Sequence, residues 1–171
     1  MTADPNLFDP DFESEFEREG FAGRRAKLGK VAGAEHLGAS LYELAPGCAA
    51  FPLHYHLGNE ELLIVVEGKP VLRTLDGERA LEAGEVVAFP IGERGAHQLV
   101  NRGAEPARML IISEMNAPDI VIRPESGKLG AFGRPPGSDA PGLNEVFFRN
   151  DKSEFWDGEP VPPGSGSGEG E

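Results

Sequence analysis

Between about Leu37 and Arg123 the apolar residues come in short runs separated by turn formers, and no long stretch keeps a helical period of 3.6. The runs Ser40–Leu44, Glu61–Val66, Val71–Leu75, Val86–Phe89, His97–Asn101, Arg108–Ser113 and Ile120–Ile122 are rich in β-branched and aliphatic side chains, as strands require. Pro46-Gly47, Gly68, Asp76-Gly77, Gly84, Gly92, Gly95 and Gly103 punctuate them. Asp76-Gly77 predicts a type I′ hairpin joining Val71–Leu75 to Glu78–Leu81, because both central residues of that turn need positive φ. Many short strands without intervening helices predict an all-β sandwich or barrel.

The ends of the chain differ from this middle. Near the N-terminus, Phe8, Phe12 and Phe16 are spaced as on a helix, whereas Glu13, Glu15, Glu17 and Glu19 alternate as on a strand, so both readings stand. Gly127 to Gly142 is rich in Gly and Pro and reads as a loop, followed by an aromatic segment (Phe147, Phe148, Phe155, Trp156) expected to pack back onto the body. The tail GEPVPPGSGSGEGE has one aliphatic residue, Val161, too little to offset the entropy of ordering, and is expected to be disordered. The resulting division is an acidic extension over 1–36, a β core over 37–123, the Gly/Pro loop with the aromatic segment over 124–157, and the tail over 158–171.

Charge narrows the function. The chain has 171 residues and a formal net charge of −13, with seven acids and one base in residues 1–19. The densest basic group, Arg24, Arg25, Lys27 and Lys30, is too sparse for a nucleic-acid footprint, so no nucleic-acid partner is expected. The longest aliphatic run, Leu62–Val66, is far shorter than the roughly 20 residues of a membrane span, and the acidic N-terminus lacks a secretory pattern. A cytoplasmic protein without a membrane partner is expected. The single cysteine, Cys48, excludes a disulfide within the chain and a multi-cysteine zinc cage.

Histidine placement supplies the candidate chemistry. His54 and His56 are two apart, so on an extended strand both imidazoles project from one face. Glu61 follows at the start of the run Leu62–Val66, and His97 opens a later run. Three neutral imidazoles with one carboxylate suit Mn, Fe, Ni, Cu or Zn, and an octahedral arrangement leaves two positions for substrate or O₂. His36 has no comparable partner and reads as a surface or hydrogen-bonded residue.

These spacings resemble the two motifs of the cupins, G-x5-H-x-H-x(3,4)-E-x6-G and G-x5-P-x-G-x2-H-x3-N. The chain offers Gly47, His54, His56, Glu61 and Gly68 for the first, with one extra residue before His54. For the second it offers Gly84, Pro90, Gly92, His97 and Asn101, with two extra residues before His97. The wording FPIGERGAHQLVNR resembles that of small stand-alone bacterial cupins. The resemblance implies a double-stranded β-helix, or jelly roll, holding one divalent transition metal (Fe, Mn, Zn or Ni) on His54, His56, Glu61 and His97. Glu61 is preferred over Glu60 by its distance to Gly68, which turns Leu63 and Val65 inward and Leu62, Ile64 and Val66 outward. A strand apolar on both faces needs cover on both, from a terminal segment or a second subunit, and a homodimer is expected.

Around the metal, Leu63, Val65, Val87, Phe89 and Leu99 are expected to form an apolar wall, with Tyr42, Phe51, Arg73 and Gln98 as substrate contacts. The implied activity is that of a metal-dependent dioxygenase, isomerase or decarboxylase acting on a small carbonyl or carboxylate that chelates the metal. The competing reading is a non-catalytic protein that senses a small, sugar-like ligand.

Overall fold

The computed structural model describes residues 4–135, 141–150, 152–154, 157–158 and 160. Among the described residues thirteen strands run in chain order as β1 (Ser14–Arg18), β2 (Phe21–Ala26), β3 (Leu37–Leu44), β4 (Tyr55–His56), β5 (Glu61–Glu67), β6 (Val71–Arg73), β7 (Glu78–Ala80), β8 (Val86–Phe89), β9 (Gln98–Val100), β10 (Ala107–Glu114), β11 (Asp119–Arg123), β12 (Lys128–Phe132) and β13 (Asn144–Phe148). One short helix, α1 (Leu28–Ala32), and a 3-10 turn at Glu93–Gly95 complete them.

A six-stranded antiparallel sheet, ordered β1-β2-β3-β10-β5-β8, forms one wall. A four-stranded sheet, β13-β12-β11-β4, and a three-stranded one, β7-β6-β9, form the other. The barrel closes where His54 bridges His97 and Ala49 bridges Val100. The core between the walls holds Leu44, Ala50, Leu63, Val65, Leu72, Leu81, Phe89, Leu99 and Met109. The expected all-β jelly roll is the fold of this chain.

The period-2 alternation of β5 sets the inside and outside of the barrel. Leu63 and Val65 are fully buried, and Leu62, Ile64 and Val66 are half-buried on the opposite face. Register aligns Ile64 and Leu62 with Leu110 and Ile112 of β10, so the outer face is an apolar stripe over two strands. Its cover is partial. α1, too short to leave a helical period in the sequence, packs on neighbouring β3 and brings Gly29 against the Ala39 backbone.

At the N-terminus the alternating pattern prevails. Glu15 and Glu17 of β1 are exposed, while Phe16 packs against the core and stacks on Phe51 at 6.1 Å. Phe8 stays in solvent at 76% exposure, so the helical spacing of the phenylalanines organises nothing. Register places Arg24, Glu43 and Arg108 side by side on β2, β3 and β10, and the buried Glu43 carboxylate accepts hydrogen bonds from both guanidiniums, at 2.5 and 3.0 Å from Arg24 and 2.8 Å from Arg108. Burial alone would raise the Glu43 pKa, but these hydrogen bonds outweigh it and hold it below the usual value. The triplet fastens the N-terminal hairpin to the wall that carries Glu61.

Two local expectations are corrected. The β6–β7 hairpin forms, yet its loop is Thr74–Gly77 with only Gly77 at positive φ, so it is not type I′. Thr74 explains this: its backbone N–H donates to the Gly77 carbonyl and its hydroxyl accepts from the Asp76 N–H, closing a four-residue loop. The Gly/Pro-rich stretch after Gly127 contains a strand, β12. Gly130 lies within it because a Cβ there would press 2.6 Å from the Phe132 ring, so this glycine relieves packing and makes no turn. β13 pairs with β12, but Val146, Phe147 and Phe148 remain about half exposed. Phe155, Trp156 and the tail apart from Gly158 and Pro160 lie outside the described residues.

Candidate metal centre

The four expected ligands meet at one end of the barrel because each sits at or beside a strand end. His54 immediately precedes β4, His56 ends it, Glu61 begins β5, and His97 immediately precedes β9. Ligand atoms of His54, His56 and Glu61 all lie within 4.8 Å of one another, a spacing that could hold a metal ion. His97 falls outside that mutual spacing, yet its Nε2 is 3.4 Å from Glu61 Oε2, and the His54 and His97 rings are 4.6 Å apart. The two extra residues before His97 are absorbed by the 3-10 turn. Its Gly95 has no Cβ to collide with the Pro90 carbonyl, which lets the turn fold tightly and deliver His97 inward.

Each imidazole is fixed through Nδ1. His54 donates to the Pro52 carbonyl at 2.9 Å, His97 to the Gly95 carbonyl at 2.9 Å, and His56 to the Asp119 carboxylate at 2.6 Å. With Nδ1–H committed to an oxygen, the neutral ring presents its lone pair at Nε2, the tautomer a metal requires. His56 Nε2 lies 3.7 Å from Glu61 Oε2. The donor set therefore fits a divalent transition metal: neutral nitrogens beside a hard carboxylate, oriented by hydrogen bonds on the far side of each ring.

Burial and neighbouring charge tune these groups apart. Burial, with His97 and His56 nearby, holds the His54 pKa well below its ordinary value. Burial likewise lowers that of His97, to about 4. For His56, burial works downward, but the Asp119 hydrogen bond and the Glu61 charge prevail and raise it. Burial raises Glu61, assisted by the Asp119 charge and opposed by His56 and a hydrogen bond with Ser113. Asp119 is pushed up by burial and pulled further down by His56, so it stays ionised.

Asp119 is the site residue that sequence reading misses. It begins β11, is 2% exposed, and also accepts the Gly58 N–H at 3.0 Å, tying the loop after His56 to the strand that pairs with β4. Its signal, an Asp opening an apolar run after Asn116-Ala117-Pro118, is an ordinary turn pattern.

A cleft of about 420 Å³ opens above the cluster. Tyr42 and Phe51 line it, with Phe51 edge-on to Tyr42 and His54. Gln98 reaches the narrower recess beneath, where its Nε2 donates to the Phe51 carbonyl at 2.6 Å. Arg73 does not line the cleft. It is held on the outside by Glu78 and Glu125, each at 2.9 Å, and by the Gln98 side-chain oxygen. The expected apolar wall is corrected as well: Leu63, Val65 and Phe89 fill the closed core with Val87 against them, and only Leu99 of the five reaches the recess. Arg25, Lys27, Arg123 and Arg134 stand at the mouth instead.

Fold and site agree with sequence comparison. Residues 40–113 match the Cupin_2 family, the cupin domain, and this match together with the similar solved structures supports a small protein of the cupin superfamily. Among curated proteins, the tetracenomycin polyketide synthase protein TcmJ of Streptomyces glaucescens is 38% identical over 85 residues, 50% of this chain and 52% of that protein. The chain thus spans about half the length of that relative. Among solved structures, a sugar phosphate isomerase from a cupin superfamily, from Silicibacter pomeroyi, superposes with a TM-score of 0.68 at 26% identity, covering 85% of this chain and 82% of that one. A structure from Acidithiobacillus ferrooxidans has the same TM-score and identity over 80% of this chain and 82% of its own. Among the described residues no helix is long and apolar enough to cross a membrane.

Two measurements test the electrostatics of the centre. Asp119→Asn should weaken binding of Mn(II) or Zn(II) by about 10- to 100-fold with little change in far-UV circular dichroism, measured against a chromophoric chelator; unchanged affinity would show that Asp119 does not set the His56 ring. In metal-free protein, unfolded His97 takes up a proton near pH 6.5 and the folded residue only near 4, so stability should fall as pH drops through that window. The contribution is about 3 kcal/mol, and urea unfolding of His97→Asn should show a shallower pH slope there; an equal slope would contradict it.

Proposed function

We propose that the protein is a metal-dependent small-molecule enzyme. One divalent transition metal would be held by His54, His56, His97 and Glu61, and the substrate would be a small carbonyl or carboxylate that chelates it. The observation that carries this reading is the common device at all three histidines, an Nδ1–H held by an oxygen with Nε2 left for a ligand, beside the buried Glu61 carboxylate. When bound, such a metal supplies Lewis-acid polarisation of a ligand oxygen. Around it, Tyr42 offers a hydroxyl whose pKa burial raises, so it stays protonated and able to donate to that oxygen. Phe51 and Pro52 shield one side of the cleft from water.

Among dioxygenation, decarboxylation and isomerisation, the last has the best support. The Silicibacter pomeroyi structure that aligns over most of this chain is called a sugar phosphate isomerase. The experiment begins with elemental analysis of untagged protein beside His54→Ala, His56→Ala and His97→Ala. About one equivalent of metal in the wild type and its loss in the variants is expected. Protein reloaded with Mn(II) or Fe(II) is then incubated with aldose and ketose phosphates in D₂O. Metal-dependent deuterium incorporation next to the carbonyl, seen by NMR, supports isomerisation. Retention of metal by all three variants would overturn the centre, and ligand binding without exchange would favour the sensor reading.

The half-buried stripe of Leu62, Ile64, Val66, Leu110 and Ile112 supports a homodimer joined through this sheet face. Sedimentation equilibrium at micromolar concentration should return twice the chain mass, and Ile64→Glu should halve it. A wild-type monomer would retire the dimer.

A further inference from the structure

Five of the eleven arginines of this chain are held by carboxylates. Arg24, Arg73, Arg79, Arg102 and Arg108 each meet a carboxylate within 2.9 Å. Arg25 and Arg123 do not: among the described residues neither has an ion-pair partner, although both line the cleft that holds His54, His56 and Glu61. They approach from different walls, Arg25 on β2 of the six-stranded sheet and Arg123 at the end of β11 in the facing one. The Arg25 charge acts on the Tyr42 hydroxyl, and the Arg25 Nε is buried with no hydrogen-bond partner. The carboxylates in the cleft are committed elsewhere, Asp119 to His56 and the Gly58 N–H, Glu61 to the imidazole cluster.

A guanidinium withdrawn from water without a counter-charge is costly, and a donor left unmade in a buried position adds to that cost. Arg25 and Arg123 are half-buried, and the Nε of Arg25 is shut off from water, so an anion placed between them would offset that cost. Guanidinium presents paired N–H donors matched to carboxylate and phosphate, and the low-dielectric walls of a cleft focus its field. Lys27 and Arg134 line the same rim.

We propose that the mouth of this cleft is an oxyanion subsite, in which Arg25 and Arg123 clamp from opposite walls a carboxylate or phosphate carried at the far end of the ligand. The ligand is then bipolar, with a chelating oxygen pair at the histidine cluster and a charged arm between the arginines. This assignment rests on the metal-centred reading only for where the ligand's head sits; the clamp itself stands on the two arginines.

The test pairs ligands that share a head and differ in the arm. D-glycerate is compared with 3-phospho-D-glycerate, and pyruvate with 2-oxoglutarate, by calorimetry on the full chain, Mn(II)-loaded and EDTA-treated, as wild type, Arg25→Met and Arg123→Met. At least one armed ligand should bind the loaded wild type about 30-fold more tightly than its head alone, as expected for charge-assisted hydrogen bonds. Each variant should weaken that armed ligand about 10-fold or more and leave the head within about twofold. The pair showing the larger gain identifies the arm as phosphate or carboxylate. Should Arg25→Met fail to fold, Arg25→Lys and Arg123→Met carry the test. No advantage for either arm, equal weakening of head and armed ligand, or no binding of any armed ligand overturns the clamp. Arginine-dependent binding that is indifferent to EDTA keeps the clamp and removes the metal-centred reading, whereas metal-dependent binding of heads without an arm advantage does the reverse.

Discussion

A carboxylate and three imidazoles withdrawn from water at one end of an apolar barrel are the constraint around which this structure is arranged. Neutral His54 and His97 are tolerated there because backbone carbonyls accept their Nδ1–H groups, so neither ring leaves a donor unmade. His56 and Glu61 are more demanding. They are met by a relay of charge, with Asp119 bonded to His56 and Glu61 beside its other nitrogen. The loops follow from these anchors. Pro52 precedes β4, and Gly95 closes a turn against Pro90, because the carbonyls of Pro52 and Gly95 must lie under the rings.

The rest of the barrel holds those groups in register. Glu61 faces inward because Leu63 and Val65 do, and that alternation is fixed by the ladder with β10, which also presents Ser113 opposite Glu61. Asn101 secures the other side: its side-chain amide donates to the Leu44 and Glu105 carbonyls, and its oxygen accepts the Gly103 N–H. Four of the glycines that bracket the two histidine segments, Gly47, Gly68, Gly84 and Gly92, have positive φ. At Gly68 a Cβ would also lie 3.0 Å from Ala107, so turn and strand packing both require glycine there.

Much of this was legible in the residues, for physical reasons. A strand's period is short and strict, so His54 and His56 declare one shared face, whereas the uniformly apolar Leu62–Val66 takes its faces from the spacing of Glu61 to Gly68. Interactions between distant segments leave no such mark. Asp119 reaches His56 across 63 positions of sequence, and Arg25 and Arg123 meet only through the closure of two sheets. Arg73 shows the converse. It was expected as a substrate contact, yet Glu78 and Glu125 hold it outside the cleft. Glycine misled where it served packing, at Gly130, because composition does not distinguish a turn from a close approach.

The residues that match the cupin domain, 40–113, contain His54, His56, Glu61 and His97, whereas Arg25, Asp119 and Arg123 all lie outside them. The four candidate ligands therefore lie on one stretch of chain and the arginines of the mouth on strands that flank it, with Asp119, which holds His56, on the same strand as Arg123. Genetic change can act on them separately. A recombination or loop exchange that replaced β1 and β2 would remove Arg25 from the entrance while leaving all four inner side chains encoded. The border strands are thus where the charge at the entrance can change without loss of the interior.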